Sequence, residues 1–491
     1  MTAAAPSQDP SMSRHVFHQE SLRIAGRRVV GDGRTIEVRD PWTGEVAGTV
    51  PKARVEDVRE ALETARRYRP TLSRADRAAI LERAGALVVA REDELAALIT
   101  LESGLCLKDS RYEIGRVRDV FRFAAQATLR DDGEIFSCDI TPHGRQRRVY
   151  TQRDPLLGVI VAITPFNHPM NQVAHKVAPA IATNNRMLLK PSEKVPLSAL
   201  RLADILYEAG LPPPMFQVVT GDPAEIAGEL LTHPAVDLVT FTGGAAIGRR
   251  IAERAGYRRL VLELGGNDPL IVMDDADLDE AAALAASGSY RNSGQRCTAV
   301  KRILVQRGVA DAFVERLVAL TRDWTWGDPR DETIGMGTVI DEAAARCFEQ
   351  RVDEAVAAGA TLRVGNLREG ASYSPTVIDH VRPDMTVVVE ETFGPVSPVI
   401  RFDSLDEAIA TVNGSRFGLS SGVCTNRLDV ITRLVAELEV GTVNVREVPG
   451  YRLELTPFGG IKDSGLGYKE GVQEAMKSFT NLKTYSLPWP A

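Results

Sequence analysis

The chain has 491 residues, too many for one compact domain, and its 44% hydrophobic and 25% charged content is typical of a water-soluble globular protein. A formal charge of −7 without a basic block argues against a nucleic-acid partner, and the lack of a long apolar run argues against a membrane span. The five cysteines have neither Cys-x-x-Cys spacing nor a histidine cluster nearby, which argues against a bound metal or a disulfide framework and favours a reducing, cytoplasmic setting.

The N-terminal segment is the first element in chain order. It is rich in Ala, Ser and Pro and lacks the basic-then-apolar order of a signal peptide, so residues 1–20 are interpreted as a disordered tail. Three helices are predicted next, because apolar residues recur at helical spacing over 55–65, 80–88 and 117–124.

Short apolar runs then alternate with helical segments. Strands are predicted near 158–163, 187–189, 216–219, 238–241 and 260–262, with helices over 197–209 and 223–231. A second alternating block, about 269–444, has strands near 270–273, 302–305, 386–389 and 441–445. The alternation predicts two α/β domains with helix-covered parallel sheets, meeting near Gly265 and Gly266. The final stretch, 477–487, is predicted to be extended, either as an arm that pairs with another subunit's sheet edge or as a strand packed on its own chain.

Cys297 is the candidate nucleophile. It lies in a polar, glycine-containing loop, and such loops on a rigid scaffold often carry reactive groups. A lone cysteine is more often an inert buried residue, and a thiol needs a base to remove its proton. Glu263, which ends an apolar strand before two glycines, is a candidate base whose pKa the apolar surroundings should raise; the alternative is a surface glutamate at a strand end.

Three further segments follow predicted strands. Asn167 is a candidate oxyanion donor, although Asn beside Pro is also a common turn signal. Lys190 and Glu193 lie where cofactor crevices form in open α/β sheets. Gly243 and Gly244 begin a turn before a helix, where a pyrophosphate can approach backbone N–H groups, but they do not form a G-x-G-x-x-G fingerprint.

Together these residues resemble the aldehyde dehydrogenase superfamily. The resemblance covers the chain from about Leu22 to its end, and the matching motifs occur in the family's order at 189–193, 241–248, 263–267, 294–297, 391–396 and 457–460. It implies that Cys297 is the nucleophile, Glu263 the base that activates water and Asn167 an oxyanion donor.

The resemblance implies NAD as the cofactor, with NADP as the alternative. Lys190 and Glu193 would hold the adenosine ribose, and Glu391 the nicotinamide ribose. The full set of residues expected to bind the cofactor is Thr164, Pro165, Phe166, Lys190, Ser192, Glu193, Gly243, Gly244, Leu264, Glu391 and Phe393.

The implied fold is α/β, with a Rossmann-like cofactor domain over 21–139 and 154–265 and an α/β catalytic domain over 266–472. A bridging β-arm over 140–153 and 473–491 would build a homodimer or homotetramer. Two positions depart from the family: Phe166 replaces the usual Trp, and Asn184-Asn185 replaces the usual Gly-Asn, and neither change removes a reacting group. The presence of Glu263 favours hydrolytic release, since CoA-acylating relatives generally lack it.

Cationic or polar residues occupy positions that line the aldehyde tunnel in this family. The expected substrate-binding residues are Arg116, His168, Arg296, Thr298 and Arg452. The combination is similar to phosphonoacetaldehyde dehydrogenases, which implies a small anionic aldehyde such as phosphonoacetaldehyde or phosphonoformaldehyde. The run over 294–302 also resembles the non-phosphorylating glyceraldehyde-3-phosphate dehydrogenases.

Other interpretations stay open at this point. Sulfoacetaldehyde and lactaldehyde are alternative substrates, and the arginines could be surface residues of an arginine-rich protein. Outside enzymes, the fold could serve as a recruited structural or binding protein. The intact set of Cys297, Glu263 and Asn167 argues against that last interpretation.

Overall fold

The computed structural model describes residues 17–130, 133–467 and 470–490. The strands are β1 (His18–Gln19), β2 (Leu22–Ile24), β3 (Arg27–Val29), β4 (Thr35–Arg39), β5 (Val46–Pro51), β6 (Ile135–Ser137), β7 (Arg147–Pro155), β8 (Val159–Ile163), β9 (Met187–Lys190), β10 (Phe216–Val218), β11 (Val236–Thr242), β12 (Arg259–Glu263), β13 (Pro269–Val272), β14 (Arg302–Gln306), β15 (Thr361–Val364), β16 (Arg368–Glu369), β17 (Ser372–Tyr373), β18 (Thr376–Asp379), β19 (Val396–Phe402), β20 (Phe417–Gly418), β21 (Ser420–Cys424), β22 (Thr442–Val445), β23 (Ile461–Lys462) and β24 (Thr480–Pro488).

The helices are α1 (Val55–Arg67), α2 (Arg74–Ala90), α3 (Glu92–Ser103), α4 (Leu107–Thr128), α5 (Asn171–Ala182), α6 (Leu197–Glu208), α7 (Pro223–Thr232), α8 (Ala245–Ala255), α9 (Leu278–Tyr290), α10 (Arg307–Arg322), α11 (Glu342–Ala357), α12 (Thr386–Val389), α13 (Leu405–Asn413), α14 (Leu428–Glu437) and α15 (Val472–Ser478). In the described residues, no helix combines the length and apolar character needed to cross a membrane.

The first large sheet has the strand order β12-β11-β8-β9-β10-β2-β3. Its strands from β12 to β10 are parallel, and β2 and β3 add an antiparallel edge. Alternate residues of β8 enter two different cores: Ile160 packs with α2, α4, α5 and α6, and Val161 packs with α1, α7 and α8. Burial on both faces explains why these strands are continuous apolar runs.

The second large sheet has the order β15-β18-β19-β14-β13-β21-β22, parallel except for β15. Ile271 faces a core formed with α11, α13 and α14, and Leu270 faces a core formed with α9 and α10. The chain passes from the first sheet to the second between Glu263 and Pro269, so the predicted α/β class with two helix-covered sheets is confirmed.

One predicted strand is wrong. Residues Thr386–Val389 form the short helix α12, although a Thr-Val-Val-Val run has high strand propensity. Val387 and Val388 are buried against the second core, and burial of this kind overrides a preference as context-dependent as β-propensity. Four strands of this sheet were also not predicted from the sequence, namely β15, β18, β19 and β21.

The C-terminal segment is a strand paired with its own chain. β24 runs antiparallel to β7, with Thr480 opposite Pro155 and Pro488 opposite Arg147, and β6 completes a three-stranded sheet. Tyr485 stacks on Tyr150 with ring centroids 5.2 Å apart. The interpretation as a strand packed on its own chain is the one the structure shows, while assembly through this arm stays a prediction.

Most of the expected N-terminal tail, residues 1–16, lies outside the described residues. His18 and Gln19, which were assigned to that tail, form β1 and pair with β5.

Candidate active site

The loop that carries Cys297 joins α9 to β14. It starts with a 3₁₀ turn in which Asn292 and Ser293 have φ of 58° and 53°. A β-carbon added at Gly294 would lie 2.3 Å from the carbonyl carbon of Gly394, so this close approach requires glycine. We call residues 291–298 the nucleophile loop. Its backbone packs directly on the turn at Gly394 and Pro395 that follows Glu391.

Burial raises the pKa of the Cys297 thiol to about 11. The charges of Lys301 and Arg452 oppose this rise, and those of Asp268 and Glu391 add to it. The resting thiol is therefore protonated near neutral pH, and its attack on a carbonyl carbon needs a base to take the proton.

Asn167 lies in the loop after β8, against the nucleophile loop. Its Nδ2 donates to the carbonyl oxygen of Gln295 at 2.8 Å, and its own carbonyl oxygen accepts from Nδ2 of Asn292 at 3.0 Å. Asn167 and Cys297 line the same cavity. Because Nδ2 carries two protons, one donor remains that can stabilise an oxyanion next to the thiol.

Glu263 is buried at the carboxyl end of β12. Its carbonyl oxygen accepts from the backbone N–H of Gly243 at 3.0 Å, and it forms a β-bridge with Gly465. Glu263 is not among the described residues that line the cavity around Cys297. It lies beside the glycine turn before α8, and its role as the base stays a prediction.

The carboxyl ends of four parallel strands meet at one edge of the first sheet. They are Ile163, Lys190, Thr242 and Glu263, the last residues of β8, β9, β11 and β12. The expected cofactor residues Thr164, Pro165, Phe166, Ser192, Glu193, Gly243, Gly244 and Leu264 all follow these ends directly. Ligand crevices in open α/β sheets form at such an edge.

The polar groups along this edge fit a dinucleotide. Lys190 Nζ donates to Glu193 Oε1 at 2.7 Å, which pairs the two residues expected at the adenosine ribose. Among the residues that the structure describes, no side chain caps helix α8, and a β-carbon at Gly244 would meet no atom within 4 Å. The first N–H groups of the helix are therefore open to a pyrophosphate. The hydroxyls of Thr164 and Thr242 are buried without a hydrogen-bond partner among the described residues, as expected of a site built for a polar ligand.

Glu391 and Phe393, expected at the nicotinamide ribose and ring, lie on the opposite side of this crevice. The Phe393 ring meets the Phe166 ring edge to face, with centroids 5.8 Å apart. Glu391 Oε1 accepts from Lys301 Nζ at 2.9 Å and from the backbone N–H of Gly266 at 3.2 Å. The crevice edge and the nucleophile loop are thus joined through charged hydrogen bonds.

The cavity in front of Cys297 has a volume of about 390 Å³. It brings together all five predicted substrate residues with the thiol and Asn167. Its lining is Asp109, Tyr112, Arg116, Asn167, His168, Gln172, Arg291, Asn292, Arg296, Cys297, Thr298, Glu447, Val448, Gly450, Tyr451, Arg452, Leu453 and Phe458. Four arginines around one small cavity favour an anionic ligand.

Two of these arginines share one carboxylate behind the cavity wall. Arg116 Nε donates to Glu454 Oε1, and Arg452 Nη2 lies 3.9 Å from Glu454 Oε2. His175 Nε2 contacts Glu454 from the other side, and the guanidinium of Arg116 and the ring of His175 hold the pKa of Glu454 well below its usual range against the effect of burial. Arg452 also stacks over the Phe458 ring at 3.9 Å. The two guanidiniums are therefore held in position before any ligand arrives.

His168 and Arg291 are partnered too. His168 Nδ1 lies 3.4 Å from Glu113 Oε2, while Glu113 Oε1 accepts from the backbone N–H groups of Met170 and Asn171. Burial lowers the pKa of His168, so its ring is neutral at physiological pH and offers a hydrogen bond rather than a charge. Arg291 Nε lies 3.8 Å from Asp109.

Arg296 differs from the other three arginines. Its Nη2 donates to the carbonyl oxygens of Gly288 and Ser287 in the last turn of α9, at 2.6 and 3.4 Å. Among the described residues no carboxylate lies within 4.0 Å of it, and its Nε is buried without a hydrogen-bond partner. Burial lowers its pKa to about 10, so it still carries its charge at neutral pH. An anion in the cavity would supply the missing partner.

Sequence reasoning missed several residues of this site. Asp109, Tyr112 and Glu113 precede Arg116 at helical spacing, so they share its face of α4 and could have been found from it. Glu454 and His175 gave no such signal, because their contacts join segments far apart in the chain.

Comparison with known proteins agrees with this geometry. The aldehyde dehydrogenase family model matches residues 29–485. A 3-sulfolactaldehyde dehydrogenase of Priestia aryabhattai is 39% identical over 453 residues, 92% of this chain and 94% of that protein. A sulfoacetaldehyde dehydrogenase of Neptuniibacter caesariensis is 39% identical over 409 residues, 83% of this chain and 89% of that protein. The solved structure of NADP-dependent glyceraldehyde-3-phosphate dehydrogenase from Bacillus halodurans C-125, complexed with NADP, matches with a TM-score of 0.93 and 36% identity over 96% of this chain and 100% of that one.

Proposed function

The chain belongs to the aldehyde dehydrogenase family, and from this premise we propose that it oxidises a small aldehyde bearing a tetrahedral oxoanion, first of all a phosphono-aldehyde, to the carboxylate. Oxidation of an aldehyde to an acid is the activity of the family. NAD, with NADP as the alternative, is the cofactor that the crevice at the carboxyl ends of β8, β9, β11 and β12 would hold.

The chemistry divides among three residues. Glu263 takes the proton of Cys297, the thiolate adds to the aldehyde carbon, and Asn167 Nδ2 with the Cys297 backbone N–H donates to the resulting oxyanion. A nicotinamide held in this crevice would accept the hydride from the adduct carbon, and Cys297 would then carry the acyl group as a thioester. Glu263 first passes the Cys297 proton to solvent and then takes a proton from a water whose oxygen adds to the thioester carbon. The C–S bond breaks, the acid is released, and the protonated Glu263 returns its proton to the Cys297 sulfur.

The oxoanion is proposed on the arrangement of the arginines. Arg116 and Arg452 share a single carboxylate, and Arg296 has none within 4.0 Å among the described residues. Asp109 and Glu447 are the acidic residues in the lining, and Asp109 faces Arg291. A ligand anion would therefore meet guanidinium groups that lack a full set of counter-ions, with a neutral His168 as a further donor.

A sulfonate is the second candidate, because two of the similar proteins carry sulfo-aldehydes in their names. A phosphonate offers up to two negative charges and a sulfonate only one. Two guanidiniums balanced by one carboxylate, together with Arg296, favour the more highly charged group. The carboxylate of Glu447, which also lines the cavity, reduces this preference but does not reverse it.

The test compares phosphonoacetaldehyde, sulfoacetaldehyde, glyceraldehyde 3-phosphate and propanal by initial rates of NADH formation. We expect kcat/KM for phosphonoacetaldehyde to exceed that for propanal by at least about 30-fold, since loss of one partner in a buried charge pair costs about 2–5 kcal/mol. The ratio of phosphonoacetaldehyde to sulfoacetaldehyde should rise between pH 6 and 8, because only the phosphonate gains its second charge there, with a second pKa of about 6 for related phosphate groups. A higher kcat/KM for propanal in the wild type would contradict the oxoanion site but not the proposed aldehyde oxidation.

The matched variants are Arg296→Met and Arg307→Met. Arg296→Met removes a guanidinium that has no carboxylate within 4.0 Å among the described residues. It should reduce the ratio of kcat/KM for phosphonoacetaldehyde to kcat/KM for propanal. Arg307 pairs with Asp403 on the surface, so Arg307→Met should leave the ratio of the two kcat/KM values unchanged. If Arg296→Met lowered kcat/KM equally for the charged and the neutral aldehyde, Arg296 would support the nucleophile loop and would not bind the anion.

A further inference from the structure

Lys301 is a buried lysine whose three ammonium N–H donors all have acceptors. Its side chain is 2% exposed. Nζ donates to the carbonyl oxygens of Gly266 and Cys297 at 2.6 and 2.7 Å and to Glu391 Oε1 at 2.9 Å. An ammonium has three donors, so each is matched by one acceptor.

The three acceptors belong to three different parts of the site. Cys297 is on the nucleophile loop, Gly266 is on the link between the two large sheets, and Glu391 is the carboxylate expected at the nicotinamide ribose. The single ammonium therefore links the nucleophile loop to the cofactor crevice.

Glu391 is the charge partner of Lys301. Asp268 also lies close by, but burial raises its pKa to about 8, so its carboxyl group is mostly neutral at physiological pH. The Glu391 carboxylate packs closely against residues 265 and 266. A β-carbon at Gly265 would lie 2.1 Å from Glu391 Oε2, and the backbone N–H of Gly266 donates to Oε1 at 3.2 Å. Glycine at 265 is required for this carboxylate to sit where Lys301 reaches it.

We propose that Lys301 is a positioning residue that couples Glu391 to the nucleophile loop. One ammonium would then determine both the affinity of the site for the nicotinamide ribose and the reactivity of Cys297. The inference rests on the proposed roles of Cys297 and Glu391. With Lys301 in place, Glu391 is restrained to one orientation and its charge is balanced next to the thiol. Without it, Glu391 is an unbalanced anion near Cys297 that keeps the longer hydrogen bond from the Gly266 N–H but loses the shorter one from the ammonium.

The charges that face the thiol define the expected direction. Lys301 and Arg452 favour the thiolate, while Glu391, and Asp268 once it ionises, disfavour it. Loss of the ammonium should therefore slow thiolate chemistry at a fixed pH. Loss of the Glu391 charge should have the opposite effect.

The experiment measures Cys297 in the cofactor-free enzyme as well as NADH binding. Alkylation by iodoacetamide is followed from pH 6 to 10 by mass spectrometry of the Cys297 peptide, which separates it from the exposed Cys347. NADH affinity is measured by fluorescence titration. Lys301→Met should slow alkylation at pH 8 at least about tenfold, the effect of one pKa unit, and weaken NADH binding at least about fivefold.

Two further variants keep the proposal testable if Lys301→Met folds poorly. Lys301→Arg keeps the charge but replaces the three-donor ammonium with a planar fork, so alkylation should stay within about threefold of wild type while NADH binding remains weakened. Glu391→Gln should speed alkylation. The control is Lys462→Met, since Lys462 bonds Glu439 and the carbonyl oxygen of Asn413 away from the thiol and should change neither measurement.

The proposal is overturned if Lys301→Met, folded as judged by circular dichroism, changes only one of the two measurements, or if Lys301→Arg behaves like Lys301→Met in alkylation. A separate measurement tests the proposed function. If Cys297→Ser oxidised the aldehyde at a rate comparable to wild type, the proposed role of Cys297 would be wrong, whatever the results for the Lys301 variants.

Discussion

Glu454→Gln is the most informative single change behind the substrate cavity. Glu454 is 7% exposed and contacts Arg116 and His175, which are 17% and 1% exposed, with Arg452 3.9 Å away. The amide keeps the volume and can still accept from Arg116, but it removes the counter-ion of two guanidiniums. Breaking a buried pair from one side costs about 3–5 kcal/mol, and because the amide still accepts a hydrogen bond we expect about 3 kcal/mol of stability to be lost.

The assay is urea unfolding followed by tryptophan fluorescence, at equal protein concentrations. The matched control is Asp403→Asn, the same carboxylate-to-amide change in the exposed Arg307–Asp403 pair, which should alter the unfolding midpoint very little.

The pH dependence of this loss follows from the direction of the pKa shift. The pKa of Glu454 is lowered in the folded state, so its contribution is fully present above the unfolded value of about 4.3 and is lost only as the pH falls below that value toward the folded pKa. The difference between wild type and Glu454→Gln should therefore be constant from pH 8 to about pH 7, above the range in which the neighbouring His175 titrates. Equal midpoints for Glu454→Gln and Asp403→Asn would refute the account of Glu454 as the anchor of the cavity arginines.

Three further predictions concern the reaction and acid stability. Glu263→Gln should give at most one burst of NADH and then stall, with steady turnover lower by about 10²–10⁴-fold; near-normal steady rates would exclude it as the base. Wild type should prefer NAD to NADP in kcat/KM, because the Glu193 carboxylate can accept from a ribose 2′-OH and repels a 2′-phosphate, and equal values would contradict this. Burial lowers the pKa of His175, so stability should be complete above the unfolded value of about 6.5 and decline as the pH falls below it; unfolding midpoints at pH 7.5 and 5.5 should differ less in His175→Asn than in wild type.

The repeating local patterns of the sequence determined much of this protein. Continuous apolar runs and helical stripes are short-range features, and they led correctly to two helix-covered sheets, with the glycine turn at Gly243 and the strand ends at Lys190 and Glu263 on one edge. The same reasoning failed at Thr386–Val389, where a β-branched run became a helix because two of its valines are buried in the second core.

Only the tertiary structure showed which of the charged side chains around the cavity are paired with a counter-ion. The arginine positions could be read along the chain, but whether each guanidinium has a counter-ion could not. Arg116 contacts Glu454, 338 residues away in the chain, whereas the hydrogen bonds of Arg296 within the described residues go to backbone carbonyls. Ion pairing depends on distance and burial in space, and a linear sequence does not specify which distant segments are folded against each other.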